Sequence, residues 1–527
     1  MKRILILSIG YFVLTALLNA QKPVCLTGQI YDKNTGQPVP FATVSLKEKY
    51  FGVISNEDGS FRIPEIKDTI NWTLEVRHLG YEPISLKLSE LDISKNLDIF
   101  LEEASYSVDE VVIRERRKRR PDPGDIVETA VQKIKDNYPA YPFQLKGYYR
   151  DYLKIDSSYV NLYEADVEIE DLGFASNDYD QTKIKVNAGM MNQNFMIDSS
   201  RILDYGDNRV KSIPYGKTEY YGGNEIVFLG IHNPIRNYNL RSFDFIRTLQ
   251  TDFLNDHLFV LKGLVTSDSL PVYCIEFSYK EKDPDIYSET GSITTIYGNR
   301  PIKMPFTVKG VLFIQSKTFI INRMEYEVSL MNKKNKEVLW NLNLEYRNIK
   351  GVPFLNYISF NNEIEIPEYA DERYFHLKNI IIDRPDNCLK LTFNNILEPG
   401  QAKNPGNYRV KLDDRILEIT GIEVADTMVT LMLKDYEKYF NGQPLEEIGS
   451  LKVDVTNLKD TKGNLINDLK TIKANQYREL FVNNITQDFI PIPESECVDK
   501  RKSMIYSRIS NKKETVMKNF NPPLLKE

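Results

Sequence analysis

The chain has 527 residues, of which 42% are hydrophobic and 27% charged, and its formal net charge is −6 at pH 7. This length predicts roughly three or four domains, each able to bury its own core. The mild acidity excludes a nucleic-acid-binding protein, which needs a basic footprint. The sequence contains no CxxC pair, so neither a zinc site nor a disulfide scaffold is indicated. One long-range disulfide in an oxidising compartment stays open, with no pairing indicated among the four cysteines: Cys25, Cys274, Cys388 and Cys497.

Residues 1–20 have the pattern of a secretory signal peptide. Lys2 and Arg3 precede an apolar run over 4–18, and the Leu-Asn-Ala sequence at 18–20 suits cleavage. The run is shorter than the roughly twenty residues that span a membrane, and no cysteine stands at the cleavage point. We therefore expect an exported, periplasmic or outer-membrane-associated protein that starts at Gln21, with no transmembrane helix after signal cleavage.

Residues 21–104 are predicted to form a β-sandwich. Apolar residues alternate in short runs, which is typical of strands with one buried face. The breaks at 34–36 and 57–59 end in glycine after Asn-Thr or Glu-Asp, and such residues favour turns. Several short strands in fewer than about 80 residues fit a sandwich.

Four segments of this region resemble the carboxypeptidase regulatory-like (transthyretin-like) domain that opens many Bacteroidetes envelope proteins. They are, in order, residues 28–32, 36–44, 56–61 and 79–81. The resemblance implies a module for folding and interaction. The peptidase activity in the family's name belongs to a different domain, which this sequence does not contain.

Residues 105–124 are interpreted as a basic linker. The run Arg-Glu-Arg-Arg-Lys-Arg-Arg at 114–120 is followed at once by two prolines and a glycine, which favours a solvated linker. Contact with anionic lipid headgroups is the alternative for this run. A helix is then predicted over 125–137, with Asp125 as its N-cap, Glu128 completing a capping box and Pro139 beyond its end.

Residues 125–384 are predicted to be one β-rich domain that begins with this helix. Alternating or β-branched runs predict an antiparallel sheet or half-barrel with strands at 148–153, 159–169, 272–279, 308–314, 320–330, 338–346 and 357–364. Residues 137–150 and 163–165 resemble an uncharacterised Bacteroidetes family with the same leading domain. More loosely, residues 310–326 are similar to the repeated strands of periplasmic lipoprotein-carrier half-barrels.

Residues 385–474 are predicted to form a second sandwich. Its ordered strand segments and the turn Asp460-Thr-Lys-Gly-Asn464 resemble bacterial surface Ig-like domains. Residues 475–527 resume with a strand and are too short for a domain of their own. We expect this C-terminal segment to pack on the central domain, so that the second sandwich is an insertion.

No residue set has the spacing of a catalytic or cofactor site. A GxSxG elbow, a Walker loop and an SxxK motif do not occur, and Gly222-Gly223 lacks the strand and helix context of a phosphate loop. Four histidines show no metal-binding spacing: His78, His232, His257 and His376. Four carboxylates alternate on one predicted strand and indicate a solvated face rather than an acid–base pair: Glu164, Asp166, Glu168 and Glu170. We expect no catalytic, cofactor-binding or metal-binding residue, no cofactor and no enzyme.

The sequence thus predicts a non-enzymatic cell-envelope binding or scaffold protein. Its partner would be an envelope protein, a glycan or a lipid; the oligomeric state is not indicated. The 32 tyrosines suit either sheet packing or sugar stacking. One alternative is a periplasmic lipid or lipoprotein carrier, in which the central sheet encloses an acyl chain. A less favoured one is a glycan-processing hydrolase, which would need polar groups with shifted pKa values in a cleft.

Overall fold

The computed structural model describes residues 24–47, 51–66, 72–78, 81–103, 121–202, 211, 213, 221–240, 249–267, 270–280, 306–331, 336–368, 374–413, 415–441, 450–468, 471–507 and 521–523. The predicted leader and most of the predicted linker lie outside these residues. The chain is mainly β, as predicted, and divides into two compact units: Met1–Tyr205, Ser212–Ile364 and Lys473–Glu527 form the first, and Gly206–Lys211 and Glu365–Ile472 the second. In the described part of the chain, no helix is long and apolar enough to cross a membrane.

The N-terminal module, residues 24–103, consists of two small sheets around one core. Its strands are β1 Val24–Asp32, β2 Thr43–Leu46, β3 Phe51–Ile54, β4 Ser60–Ile66, β5 Thr73–Arg77, β6 Ile84–Lys87 and β7 Leu97–Leu101. One sheet has the order β4-β1-β7 and the other β3-β2-β5-β6. Alternate residues such as Val44 and Leu46 are buried, as period two predicts. The sandwich expected from the sequence is therefore present.

The predicted helix over 125–137 starts earlier and is broken. Helix α1 spans Pro123–Gln132 and a short α2 spans Ile134–Asn137. The N-cap is Asp122, whose Oδ1 accepts from the Gly124 N–H at 2.8 Å, so the expected cap at Asp125 is wrong. Pro123 explains the shift, because its fixed φ suits the first helical position and its missing N–H costs nothing there.

Ten strands form one central sheet, confirming the predicted large antiparallel sheet. Its order is β10-β9-β8-β24-β16-β15-β14-β13-β12-β11, and β11 to β16 form an antiparallel meander. The strands are β8 Phe143–Ile155, β9 Ser158–Asp171, β10 Lys183–Met191, β11 His257–Ser267, β12 Leu270–Tyr279, β13 Phe306–Gln315, β14 Ile321–Met331, β15 Lys336–Ile349, β16 Val352–Pro367 and, after the second unit, β24 Thr471–Thr486. The edge strands β10 and β11 are not among the predicted strands.

The two faces of this sheet have different coverings. The inner face carries Leu145, Leu342 and Leu480 and packs against α1 and against α3, Glu225–Ile231, in the largest apolar cluster among the described residues. A further short helix, α4, spans Leu254–Asp256. The outer face carries Tyr148, Tyr357 and Phe481, which belong to the core of the N-terminal module.

A buried carboxylate lies where β15, β16 and β24 meet. Lys473 Nζ is 3.0 Å from Glu363 Oε1 and also pairs with Glu337. Burial raises the pKa of Glu363 to about 7, and the neighbouring Glu337 adds to the shift while Lys473 opposes it. At pH 5 to 6 this side chain therefore holds a proton in the folded state that it has lost in the unfolded state.

We expect this proton to make stability depend on pH. Because the folded-state pKa is raised, the free energy of unfolding falls as pH rises from about 4.5 to 7. Glu363→Gln removes this pH dependence. Between pH 5 and 8 the free energy of unfolding of the variant, relative to that of the wild type, should therefore rise by about 1–2 kcal/mol. Urea unfolding at several pH values measures this, with exposed Glu82→Gln as control. Parallel stability–pH curves for wild type and Glu363→Gln would contradict it.

The C-terminal part of the chain returns to two places in the first unit. Val498 N–H donates to Ile184 O on β10 at 2.7 Å, and Lys183 pairs with Glu494 at 2.8 Å, so this segment covers the β10 edge. Residues 521–523 instead contact the N-terminal module. Asn521 is fully buried there. Its Oδ1 accepts from Arg62 N–H at 2.8 Å and its Nδ2 donates to Ile54 O at 2.7 Å.

We expect Asn521→Ala to loosen the N-terminal module locally. The substitution leaves one buried backbone donor and one acceptor without partners, which costs about 1–3 kcal/mol. Hydrogen exchange of peptides covering β3 and β4 should accelerate accordingly. Exposed Asn379→Ala in the second unit is the matched control. Unchanged exchange in β3 and β4 would show that Asn521 does not hold this edge.

The second unit has two small sheets around its own core. Its strands are β17 Leu377–Asp383, β18 Cys388–Phe393, β19 Tyr408–Leu412, β20 Arg415–Leu417, β21 Ile419–Ala425, β22 Met428–Leu433 and β23 Leu451–Val455, with short helices α5 Pro399–Ala402 and α6 Tyr436–Phe440. The sheet orders are β17-β18-β22-β21 and β20-β19-β23, and both contribute to one apolar cluster. The resemblance to Ig-like domains stays a prediction.

The boundary predicted at 384/385 differs from the structure. The second unit begins at Glu365, and β17, assigned from sequence to the central domain, pairs with β18. The β-branched run at 380–382 of β17 favours a strand but does not indicate the sheet to which that strand belongs. At Asp460 the predicted turn is present: its Oδ1 accepts from the N–H of Lys462 and of Asn464 at 3.0 and 2.8 Å.

Candidate binding groove

A buried polar network joins the N-terminal module to the outer face of the central sheet. Arg150 and Glu479 lie opposite each other on β8 and β24 and form an ion pair. Arg150 Nη2 donates to Asn56 Oδ1 of the module at 2.6 Å, and Tyr357 OH donates to Glu479 Oε1 at 2.7 Å. Burial alone would lower the pKa of Arg150, but Glu479 outweighs it and the net shift is upward. Arg150 therefore stays charged.

Beside this network the module and the sheet separate and leave a groove of about 660 Å³. This volume is within the range of about 300–1,000 Å³ typical of ligand sites. One wall is formed by the module through residues 38–41, His78 and Tyr81, and the floor is formed by β11 to β15. We call this space the outer groove.

Two rows of directly opposed residues cross the floor of the outer groove. The first row runs from β11 to β15 through Leu258, Ser278, Lys309, Glu327 and Asn341. The second row runs likewise through Val260, Glu276, Val311, Glu325 and Asn343. Opposed residues share one face of a sheet. The rows therefore lie side by side, with exposed apolar side chains at the β11 edge and amides at the far end.

Each charged side chain on the floor has a partner of opposite sign. Distances between charged atoms are 3.5 Å for Lys309 and Glu327, 2.8 Å for Arg323 and Glu325, and 3.2 Å for Lys262 and Glu276. The groove lining itself carries three acids and two bases, and Lys262, the partner of Glu276, lies outside that lining. The outer groove is therefore polar, with each of its acids paired to a base.

The module wall is aromatic and proline-rich. Phe41 and Tyr81 are half-buried beside Pro38 and Pro40. Tyr81 OH donates to Asp32 Oδ2 at 2.9 Å, which fixes its ring. Phe41 has φ 59°, a left-handed conformation that costs a non-glycine residue about 1–2 kcal/mol, and its N–H donates to Ser55 O at 3.1 Å. The fold thus holds a strained aromatic residue at the groove wall.

His78 connects the module wall to the floor of the outer groove. Its Nε2 lies 3.1 Å from Arg323 Nη2, and since guanidinium only donates, Nε2 is the acceptor. The other three histidines lie apart from it. His232 stacks on Phe360 at a centroid distance of 4.5 Å, His257 contacts Tyr326 OH at 2.8 Å, and His376 is in the second unit.

The four alternating carboxylates of β9 do not form the predicted solvated face. Glu164 is fully buried, accepting from Tyr148 OH at 2.5 Å and Asn192 Nδ2 at 2.6 Å, and Glu170 is also buried. Burial, and then Glu164, raise the pKa of Tyr148 well above its usual value. The prediction is wrong because β9 is an interior strand whose neighbours supply donors from distant parts of the chain.

The inner face is covered by the chain itself. Arg478, fully buried, pairs with Glu225 of α3, donates through Nη1 to Asn362 Oδ1 at 2.8 Å, and lies 4.0 Å from the ring centroid of Phe228. A pocket on this side, lined by residues that include Phe143 and Leu480, holds about 60 Å³. That is well below a typical ligand site of at least about 300 Å³.

In the part of the chain that the structure describes, the cysteines and the acidic cluster of the second unit add no further site. All four cysteines are free thiols. Asp383, Asp386 and Cys388 lie close together in the second unit, but Lys390 Nζ is 2.5 Å from Asp383 and 2.8 Å from Asp386 and already supplies the cation. The outer groove is thus the feature that sequence reasoning missed, because its floor depends on the register of five strands.

Comparison with known proteins identifies the module. Residues 26–113 match the family model of the CarboxypepD_reg-like domain, as the sequence motifs indicate. No curated protein matches the chain. Several solved structures show some similarity. Among them, a DUF1329 family protein from Desulfovibrio piger is 8% identical over 46% of this chain and 87% of that one, with a TM-score of 0.18. A LolA superfamily protein from Nitrosomonas europaea is 12% identical over 46% of this chain and 86% of that one, with a TM-score of 0.19. Both TM-scores are too low to support an argument.

Proposed function

We propose that this chain is a non-enzymatic binding or scaffold protein of the cell envelope that holds a partner in the outer groove. The observation that carries the proposal is the groove itself, which is formed jointly by the CarboxypepD_reg-like module and the central sheet. Because the Arg150 network fixes the module on the sheet, the groove is a preformed cleft, as binding sites usually are. The leader pattern of residues 1–20 supports export.

A catalytic role is not proposed, because the polar groups of the groove are committed to each other. Glu276, Glu325 and Glu327 each face a basic side chain. A general acid or base at a reacting bond needs a carboxyl group poised to exchange a proton near the working pH. In the outer groove the carboxylates are instead held in salt bridges of 2.8 to 3.5 Å.

The test fills the groove and measures partner binding. Ser278 is exposed in the first row, so Ser278→Trp should obstruct the floor without disturbing a core. Ser85→Trp, at an exposed position of β6 away from the groove, is the matched control. We expect binding to an isolated envelope fraction to be retained by the control and lost by Ser278→Trp. Equal binding by both variants would contradict the proposal.

The carrier alternative is supported by the apolar inner face, the largest such cluster in the described residues. The pocket that α3 lines on this face holds only about 60 Å³, so an acyl chain there would have to displace α3. We therefore favour the outer groove. Mass spectrometry of the purified protein under native conditions tests the alternative: a stoichiometric bound lipid would support the carrier, and its absence would leave the groove as the site.

A further inference from the structure

The direction of the outer groove limits what can occupy it. Its two rows cross five strands, so the floor from β11 to β15 extends about 19 Å at roughly 4.8 Å per strand spacing. An occupant along the rows therefore lies across the strands. A peptide that adds to a sheet edge must run parallel to the edge strand. The groove axis is unsuited to that mode.

The ion pairs of the floor disfavour strongly charged ligands. Each of the three acids in the groove is paired with a base: Lys309 and Arg323 belong to the lining and Lys262 lies outside it. A phosphate-rich or polybasic ligand would have to break these pairs and would find only a small net charge to attract it. An uncharged ligand leaves the pairs in place and uses their remaining lone pairs and N–H groups.

The uncharged polar groups of the floor offer donors and acceptors together. Asn341 and Asn343 lie at the β15 end of the rows, and Asn343 Nδ2 donates to Asn341 Oδ1 at 2.9 Å and to Ser359 Oγ at 3.3 Å. Asn341 is half-buried, and Ser278 and Lys309 are exposed. Amide and hydroxyl groups of this kind match sugar hydroxyls, each of which both donates and accepts.

The aromatic residues of the module wall also suit a sugar ligand. Phe41 and Tyr81 are half-buried on the module side of the groove, and an aromatic ring packs well on a flat surface that is apolar on its face and polar at its rim. Sugar rings have such a surface. A lipid tail would instead require a continuous apolar floor, whereas these two rows carry apolar side chains only at Leu258, Val260 and Val311, and Glu276 separates Val260 from Val311.

Accepting the proposed function, we infer that the ligand class of the outer groove is a neutral glycan. The sugar rings lie along the two rows, with their hydroxyls on Asn341 and the charged pairs and their faces toward Phe41 and Tyr81. Leu258 and Val260 mark the open end at β11. The CarboxypepD_reg-like module thus serves as one wall of a sugar site.

The first experiment applies the full mature chain to a microarray of neutral oligosaccharides. We expect binding to a subset of these glycans, with affinity lowered about tenfold by Asn341→Ala, because this amide would supply hydrogen bonds to the sugar at the β15 end of the rows. Asn379→Ala, an exposed amide on β17, should bind like the wild type. No binding above the blank, or equal loss in both variants, overturns the inference.

The second experiment separates this inference from the proposed function. A photoreactive amino acid at Ser278 is activated in cells and the adduct is analysed by mass spectrometry. A carbohydrate adduct supports the neutral glycan. A polypeptide adduct with one defined protein overturns the glycan while leaving the groove as a binding site. No adduct, together with no binding to the array, overturns both.

Discussion

Arg150→Met should lower the free energy of unfolding by about 3–5 kcal/mol, since removing one member of a buried ion pair leaves the other as an uncompensated charge. Arg150 and Glu479 are both almost fully buried between the module and the sheet. Glu479 would keep only the Tyr357 hydroxyl as a donor, and Asn56 would lose the donor to its Oδ1.

Urea unfolding followed by tryptophan fluorescence measures this effect and locates it. The chain has two tryptophans: Trp72 packs against the module core and Trp340 belongs to the inner-face cluster. Trp72→Phe and Trp340→Phe backgrounds therefore report on the two regions separately. We expect both probes to lose stability, because the network connects both regions.

Two further variants, Lys33→Met and a double variant, test the stated cause of the Arg150→Met effect. Lys33 and Glu102 form an exposed ion pair in the same module, and Lys33→Met should cost at most about 1 kcal/mol. The double variant Arg150→Met/Glu479→Leu should recover at least half of the loss, since no buried charge remains. A single-variant cost as small as that of Lys33→Met would mean that this network does not hold the module on the sheet.

The fold was predictable where burial alternates along a single strand. Val44 and Leu46 on β2 follow period two with one buried face, and the motifs around Gly36 and Gly59 indicated the module directly. The edge strands β10 and β11 are different cases. In β10, Ile184, Val186 and Ala188 are buried and alternate with polar residues, so period two does indicate this strand and it was overlooked. In β11, a register shift near Gly263 interrupts the regular pairing with β12.

The candidate site was not predictable because its contacts join distant positions. Arg150 and Glu479 are opposed only because β24 returns to β8 after the second unit. Lys309, Glu327 and Asn341 look like ordinary surface residues until strand register places them in one row. Glu164 was misjudged for the same reason, since Asn192 and Tyr148 reach it through the fold.

Arg478→Met tests whether the chain itself closes the inner face of the sheet. The side chain holds α3 through Glu225 and through the ring of Phe228, and it is fully buried. We expect the variant to lose about 3–5 kcal/mol of unfolding free energy, since Glu225 would be left as a buried carboxylate without this cation. Peptides covering 221–240 should exchange their amide hydrogens faster than in the wild type.

A hydrophobic dye distinguishes local opening from general instability. If α3 is what covers the apolar inner face, Arg478→Met should bind the dye 1-anilinonaphthalene-8-sulfonate under native conditions, while the wild type should not. Arg150→Met is the matched control, because it loses a similar buried ion pair on the outer face without touching α3. Dye binding by the wild type would instead show that the inner face opens readily, as a lipid carrier requires, and would favour that function over the outer groove.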